Sequence, residues 1–234
     1  MKRCKTHVLC VCLFSLAAIS AYGQRVNLGI DIGQTTDKYG SFPSNTSLVL
    51  GIDGQVTVLK ANQKKGGPSI VAGGEMMIPS DTANHAKEYA LFGGPMWQTR
   101  NLTIGFNAQI HKIVQPPATE GTQVLNRYTM ELLELPLTIK YAFGPGRHAF
   151  IQVQGSPEFS PRWRNAGFNL VSLPHPSLDQ GYYARGTAGY NFGKWYAKAS
   201  YQYRAFTFAE NAGNPNGLYN WRNNMIFGGV GLVF

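Results

Sequence analysis

The chain has 234 residues, 44% of them hydrophobic, 12% aromatic and only 14% charged, with 27 glycines and a formal net charge of +9. Soluble globular domains carry about 25% charged residues. The composition therefore excludes a charged helical bundle, a coiled coil and an acidic disordered chain.

Residues 1–23 read as a secretory signal peptide. Lys2, Arg3 and Lys5 give a positive start, and Val8 to Ile19 is an apolar stretch broken only by Ser15. Ala21 and Gly23 place small residues at −3 and −1 of a cleavage site before Gln24. The apolar stretch is too short for a spanning helix, which needs roughly 20 residues. All three cysteines, Cys4, Cys10 and Cys12, fall inside this segment. The remaining domain, 24–234, can then hold no disulfide, thiolate zinc site or cysteine nucleophile.

From residue 25 onward the dominant pattern has a period of two. Val26, Leu28, Ile30 and Ile32 alternate with small or polar residues, as do Leu102, Ile104, Phe106, Ala108 and Ile110, and then Leu133 to Tyr141. Such alternation marks strands with one apolar face. It predicts ten strands, at about 25–36, 47–60, 69–79, 87–98, 101–113, 128–143, 147–159, 180–192, 194–208 and 222–234. The connections alternate between short turns near 61–68, 98–101, 143–146 and 192–194 and longer loops near 37–46, 80–86, 114–127, 160–179 and 209–221. That rhythm describes an antiparallel up-and-down meander closing into an all-β barrel. Pro136 lies inside one of these strands and removes a ladder hydrogen bond. Either the wall kinks there, or residues 128–134 are a loop extension and the strand starts near Leu135.

A soluble barrel turns its apolar face inward, whereas a membrane barrel turns it toward lipid. Three features favour lipid outside. The small-and-polar face carries charges of both signs, Asp31, Asp53, Glu75, Glu88, Glu134, Lys140, Glu158, Arg185, Lys198 and Arg204, able to pair across a narrow lumen. Aromatics collect near strand ends, at Trp97, Tyr141, Phe143, Tyr190, Phe192, Trp195, Tyr203 and Trp221, as interfacial girdles do. The last strand alternates Ile226, Gly228, Val230, Leu232 and Phe234. A closed transmembrane barrel of ten strands, with eight as the alternative, is the expected fold.

No catalytic, cofactor-binding or metal-ligating set is expected. The histidines show no metal spacing, and His111 and His148 are assigned to the lumen face. Asp81, His85 and Glu88 are close in sequence but have no catalytic pattern. His148, Ser156 and Glu158 share one strand, whose extended rise holds its ends about 26 Å apart and forbids a triad. The basic residues are scattered and form no nucleic-acid stripe. Arg162, Trp163 and Arg164 fall in the predicted 160–179 loop, where two guanidinium groups flanking an indole suit lipopolysaccharide phosphates or a protein partner.

The stretch LLELPLTIKYAFGPGRHAFIQVQGSPEFSPRW, Leu132 to Trp163, resembles the PorT-like outer-membrane β-barrel proteins, small barrels of the OmpA/OmpX type. Leu133, Leu135, Pro136, Leu137, Lys140 and Tyr141 match the family's first strand, and His148–Gly155 matches its second loosely, with Ala149-Phe150 in place of Pro-Tyr. The hairpin from Gly181 to Tyr203 and the final Gly228–Phe234 also fit. The resemblance implies an integral outer-membrane barrel of a Gram-negative bacterium, in a family some of whose members serve secretion machinery. Together with the residues it gives the expected function: a non-enzymatic structural or secretion/envelope-assembly component, in contact with lipid, lipopolysaccharide and other envelope or secretion-machinery proteins, without a cofactor. A small-solute pore and a soluble exported lipid-binding barrel are the alternative functions.

Overall fold

The computed structural model describes residues 25–59, 66–120, 123–125, 127–164, 176–212 and 214–234; the expected signal segment 1–23 lies outside them. Among these residues fourteen strands form: β1 (Arg25–Tyr39), β2 (Asn45–Leu59), β3 (Gly67–Pro79), β4 (Lys87–Gln98), β5 (Leu102–Phe106), β6 (Ala108–Gln115), β7 (Ala118–Glu120), β8 (Gln123–Leu125), β9 (Tyr128–Glu134), β10 (Leu137–Phe143), β11 (Ala149–Arg164), β12 (Leu178–Asn191), β13 (Trp195–Phe208) and β14 (Trp221–Val233). Each wall strand pairs antiparallel with its sequence neighbours, and β14 pairs with β1 to close the wall. The broken strands β5/β6 and β9/β10 each fill one place, and β7 pairs only with β8. The wall thus has ten places. The count is ten rather than eight because the 45–79 region forms a full hairpin in register from Val49↔Pro79 to Leu59↔Ile70.

Pro136 interrupts the ladder between β9 and β10 without shifting its register, since Glu134↔Glu158 and Leu137↔Gly155 run in step. Residues 128–134 are not a loop extension, since β9 pairs with both β6 and β11. The interruption is stitched across three neighbouring strands. Asn107 N–H, between β5 and β6, donates to Pro136 O at 3.1 Å. Leu135 N–H donates to Ser156 Oγ at 2.8 Å, and that hydroxyl donates to Pro157 O at 2.6 Å. A second irregularity lies in β11, whose register against β9 shifts between Phe159 and Arg162. Pairing of β11 with β12 ends at Pro157↔Tyr182, so the two strands part near the long-loop end.

Apart from the shifted end of β11, side chains alternate across the wall. Ile32, Leu48, Leu50, Leu91, Ile110, Ile139, Val153, Ile226 and Val230 are exposed, with Leu91 at 70% and Ile32 at 65%. They form a continuous apolar belt, far larger than a water-exposed surface tolerates. Trp97, Tyr141, Phe143, Tyr190, Phe192 and Trp195 are exposed at the strand ends beside the short turns and give the belt an aromatic border. The inner face is buried and polar, and glycines there make room for larger neighbours. A Cβ on Gly229 would overlap the Asp31 carboxylate, and one on Gly51 would meet the Met77 thioether. An apolar exterior and a charged interior are the reverse of a soluble lipid-binding barrel, and the fold is a membrane-spanning one.

Candidate functional site: the barrel interior

The interior is organised in layers along the axis. At the long-loop end an apolar cluster fills the lumen: Tyr39, Ile113, Tyr128, Met130, Leu132, Phe206, Phe208 and Trp221 from the wall, joined by Phe42, Ala86 and Tyr219 from three loops. Tyr39 and Phe206 stack on the Trp221 indole at centroid distances of 6.5 and 5.4 Å. Asn214 shapes the last of these loops, donating from Nδ2 to Phe208 O at 3.1 Å and accepting the Tyr219 N–H at 2.8 Å.

One carboxylate sits within this cluster. Asp37 accepts from Trp221 Nε1 at 2.9 Å and from Asn223 Nδ2 at 2.8 Å, and its other oxygen lies 2.9 Å from His85 Nδ1. His85 belongs to the β3–β4 loop, so this bond ties the loop to β1. An Asp37→Ala chain should lose about 2–3 kcal/mol, because it leaves three buried donors without their charged acceptor. Urea unfolding in detergent micelles, followed by tryptophan fluorescence, measures it.

Below lies the densest charge cluster. Arg204, only 2% exposed, contacts three carboxylates. Its Nη1 donates to Glu88, its Nη2 lies 3.1 Å from Glu134 Oε1, and its Nε lies 3.2 Å from Glu158 Oε1. Its guanidinium also covers the Tyr183 ring at 4.8 Å. His111 Nδ1 lies 2.7 Å from Glu134 and its Nε2 lies 3.0 Å from Arg204 Nη1. Glu134 and Glu158 face each other directly across the β9–β11 ladder. Like charges in that position repel, and Arg204 between them offsets the repulsion.

Gln202 links this cluster to the next layer. It donates to Glu88 at 3.5 Å and accepts from Arg185 Nε at 3.0 Å. Arg185 makes a two-pronged pair with Glu75, both bonds 2.5 Å. The third layer is Lys198, 2.6 Å from Asp53 and 3.1 Å from Asp31. Among the described residues Lys140 makes no such pair: its Nζ lies over the Phe150 ring at 4.0 Å.

The predicted lumen residues Asp31, Asp53, Glu75, Glu134, Lys140, Glu158, Arg185, Lys198 and Arg204 are therefore all inside, together with Glu88 and His111. Sequence reasoning missed the Asp37–His85–Trp221 group and the bridging role of Gln202. Other assignments need correction. Arg162, Trp163 and Arg164 are not in a loop but on β11. Trp163 turns inward, its ring 5.3 Å from Tyr128 and 4.9 Å from Phe208. Arg162 and Arg164 are exposed, and Arg164 lies 3.3 Å from Glu131. Trp221 is no girdle residue, being fully buried. His148 lies beside the β10–β11 turn, exposed, against Tyr190 at 5.7 Å, and not in the lumen. Asp81, His85 and Glu88 separate: Asp81 is exposed and accepts from Asn84 Nδ2 at 2.8 Å, while His85 bonds Asp37 and Glu88 bonds Arg204.

No family model matches the sequence, and no curated protein matches it either. Among solved structures, the chain is similar to Neisserial surface protein A at 9% identity and a TM-score of 0.40, over 88% of this chain and 96% of that one. It is similar to the translocator domain of the autotransporter NalP from Neisseria meningitidis at 12% identity and 0.40, over 97% of each chain. Similarity to Ail, the attachment invasion locus protein of Yersinia pestis, is 10% with a TM-score of 0.34, over 90% of this chain and 98% of that one.

Proposed function

We propose that this chain is an integral outer-membrane barrel with a sealed lumen, a non-enzymatic component of envelope structure or assembly. The single observation that carries the reading is the filled interior. At the Arg204 level four charged side chains and an imidazole pack together, and above them the apolar cluster covers the long-loop end. Ten strands enclose little more than their own side chains, whereas open porins use 16–18. The predicted signal segment supports export, and a closed barrel leaves no unpaired wall edge in lipid. In this orientation the short turns and the aromatic border with Trp97 and Trp195 face the periplasm, and the long loops face outward.

The PorT-like resemblance fits the same reading through the Leu133–Tyr141 segment and its interruption at Pro136. Arg162 and Arg164, exposed on β11 toward the long-loop end, would meet lipopolysaccharide phosphates there. Two measurements test the proposal. The unboiled, detergent-extracted protein should migrate differently from the boiled one on a gel. In planar bilayers it should give no stable channel at moderate voltage. Stepwise conductance would instead favour the small-solute pore.

A further inference from the structure

Below the Arg185–Glu75 pair the lumen opens into a cavity of about 170 Å3, bounded toward the short-turn end by Arg25, Asn191 and Val233. Much of its wall is amide and hydroxyl, including Asn27, Gln55, Thr138 and Gln152. Four bases line it. Two are matched, Arg185 by Glu75 and Lys198 by Asp31 and Asp53. The other two, Lys140 and Arg25, have no carboxylate within ion-pair distance among the described residues. β10 and β1 lie half the wall apart, so these cations stand on opposite sides of the cavity. Lys140 is half-buried, and among the described residues it is the face of Phe150 that lies against its ammonium group.

We propose that this chamber binds a small anion bearing carboxylate or phosphate groups, entering from the short-turn end. Burying charge is unfavourable unless the charge is paired. Lys140 is such a charge, half-buried and unmatched, and with Arg25, exposed at the short-turn mouth, it leaves a place for a counter-charge between them. The neighbouring amides and hydroxyls can donate to the remaining oxygens of such a ligand. The Arg204 cluster and the apolar cluster fill the lumen beyond, so the chamber is blind and suits binding rather than passage. The blindness rests on the sealed-lumen reading but the binding does not; conductance and binding are therefore measured separately.

The test is calorimetric titration of the refolded protein in uncharged detergent at low salt, with inorganic phosphate and succinate as probes. Each variant's fold is verified by its gel shift on heating. At least one probe should bind saturably at one site, and the affinity should fall with added salt. Lys140→Met should weaken binding about tenfold or more, a loss of about 1.4 kcal/mol, and Arg25→Gln should weaken it severalfold. Lys140→Arg, which keeps the charge and the contact with the Phe150 face, should keep it within about threefold, and Arg222→Gln, on the outer surface of β14, should leave it unchanged. Binding of phosphate alone assigns a phosphate group to the ligand, and of succinate alone a carboxylate. Failure of both probes to bind the unaltered protein overturns the proposal, as does unaltered affinity in a folded Lys140→Met chain. Should Lys140→Met fail to fold, Arg25→Gln and Lys140→Arg decide: unaltered affinity in the former or loss in the latter overturns it.

Discussion

An Arg204→Met barrel is expected to lose about 3–5 kcal/mol of stability, because the change strands carboxylates in a site built around their counter-ion. Glu88, Glu134 and Glu158 all contact that guanidinium, and among the described residues no other guanidinium or ammonium group lies within ion-pair distance of them. Methionine is close enough in length to leave the packing over Tyr183 largely intact, so the loss reads charge rather than volume. Urea unfolding of the folded barrel in micelles measures it. Adding Glu134→Gln and Glu158→Gln to Arg204→Met should recover a large part of the loss, since the residues act as one network. If Arg204→Met alone costs under 1 kcal/mol, the cluster is open to water and the lumen is not sealed at this level.

How much of this cluster could be read from the sequence depends on which residue is asked about. The alternation placed ten charges, from Asp31 to Arg204, on the inner face, because each strand is paired on both sides and every side chain must choose lumen or lipid. Even Trp221 was legible in principle. It shares parity with Asn223, Met225 and Phe227, which face inward, and not with Ile226 and Val230, which face lipid. Its aromatic character near a strand end suggested a girdle, but parity decides orientation. Trp163 was not legible this way. Counting by twos from the outward Phe159 puts Trp163 outside, and only the register shift between Phe159 and Arg162 turns it in. Pro161 in that segment hints at irregularity without fixing its phase. The pairings themselves were hidden for another reason. Arg185 meets Glu75 from a position 110 residues away. Which charges share a level follows from the stagger between strands around the whole wall, a quantity that no single strand encodes. The same limit hid the unmatched state of Lys140. Its sequence resembles that of any other lumen base, and only the closed barrel shows that no acid among the described residues reaches it.

The opposite face makes the complementary prediction. Leu91→Arg should destabilise the barrel in lipid bilayers by about 2–4 kcal/mol, the usual effect of a cation near the midplane of a membrane strand. Leu91 is among the most exposed residues of the belt, flanked across the ladder by Gly74 and Ile110. A matched change, Thr46→Arg, lies on the exposed face of β2 near the long-loop end and should cost about 0–1 kcal/mol. Both variants keep the inner face untouched, so the difference between them isolates the surroundings of the outer wall. Unfolding from liposomes gives that difference directly. In water an arginine on an exposed strand face is nearly neutral. Equal stabilities of the two variants would place the belt against something other than hydrocarbon. A gap of several kcal/mol makes the lipid itself the second half of the core. The folded chain then has two apolar reservoirs, the cluster at the long-loop end and the belt outside, with the charges held between them.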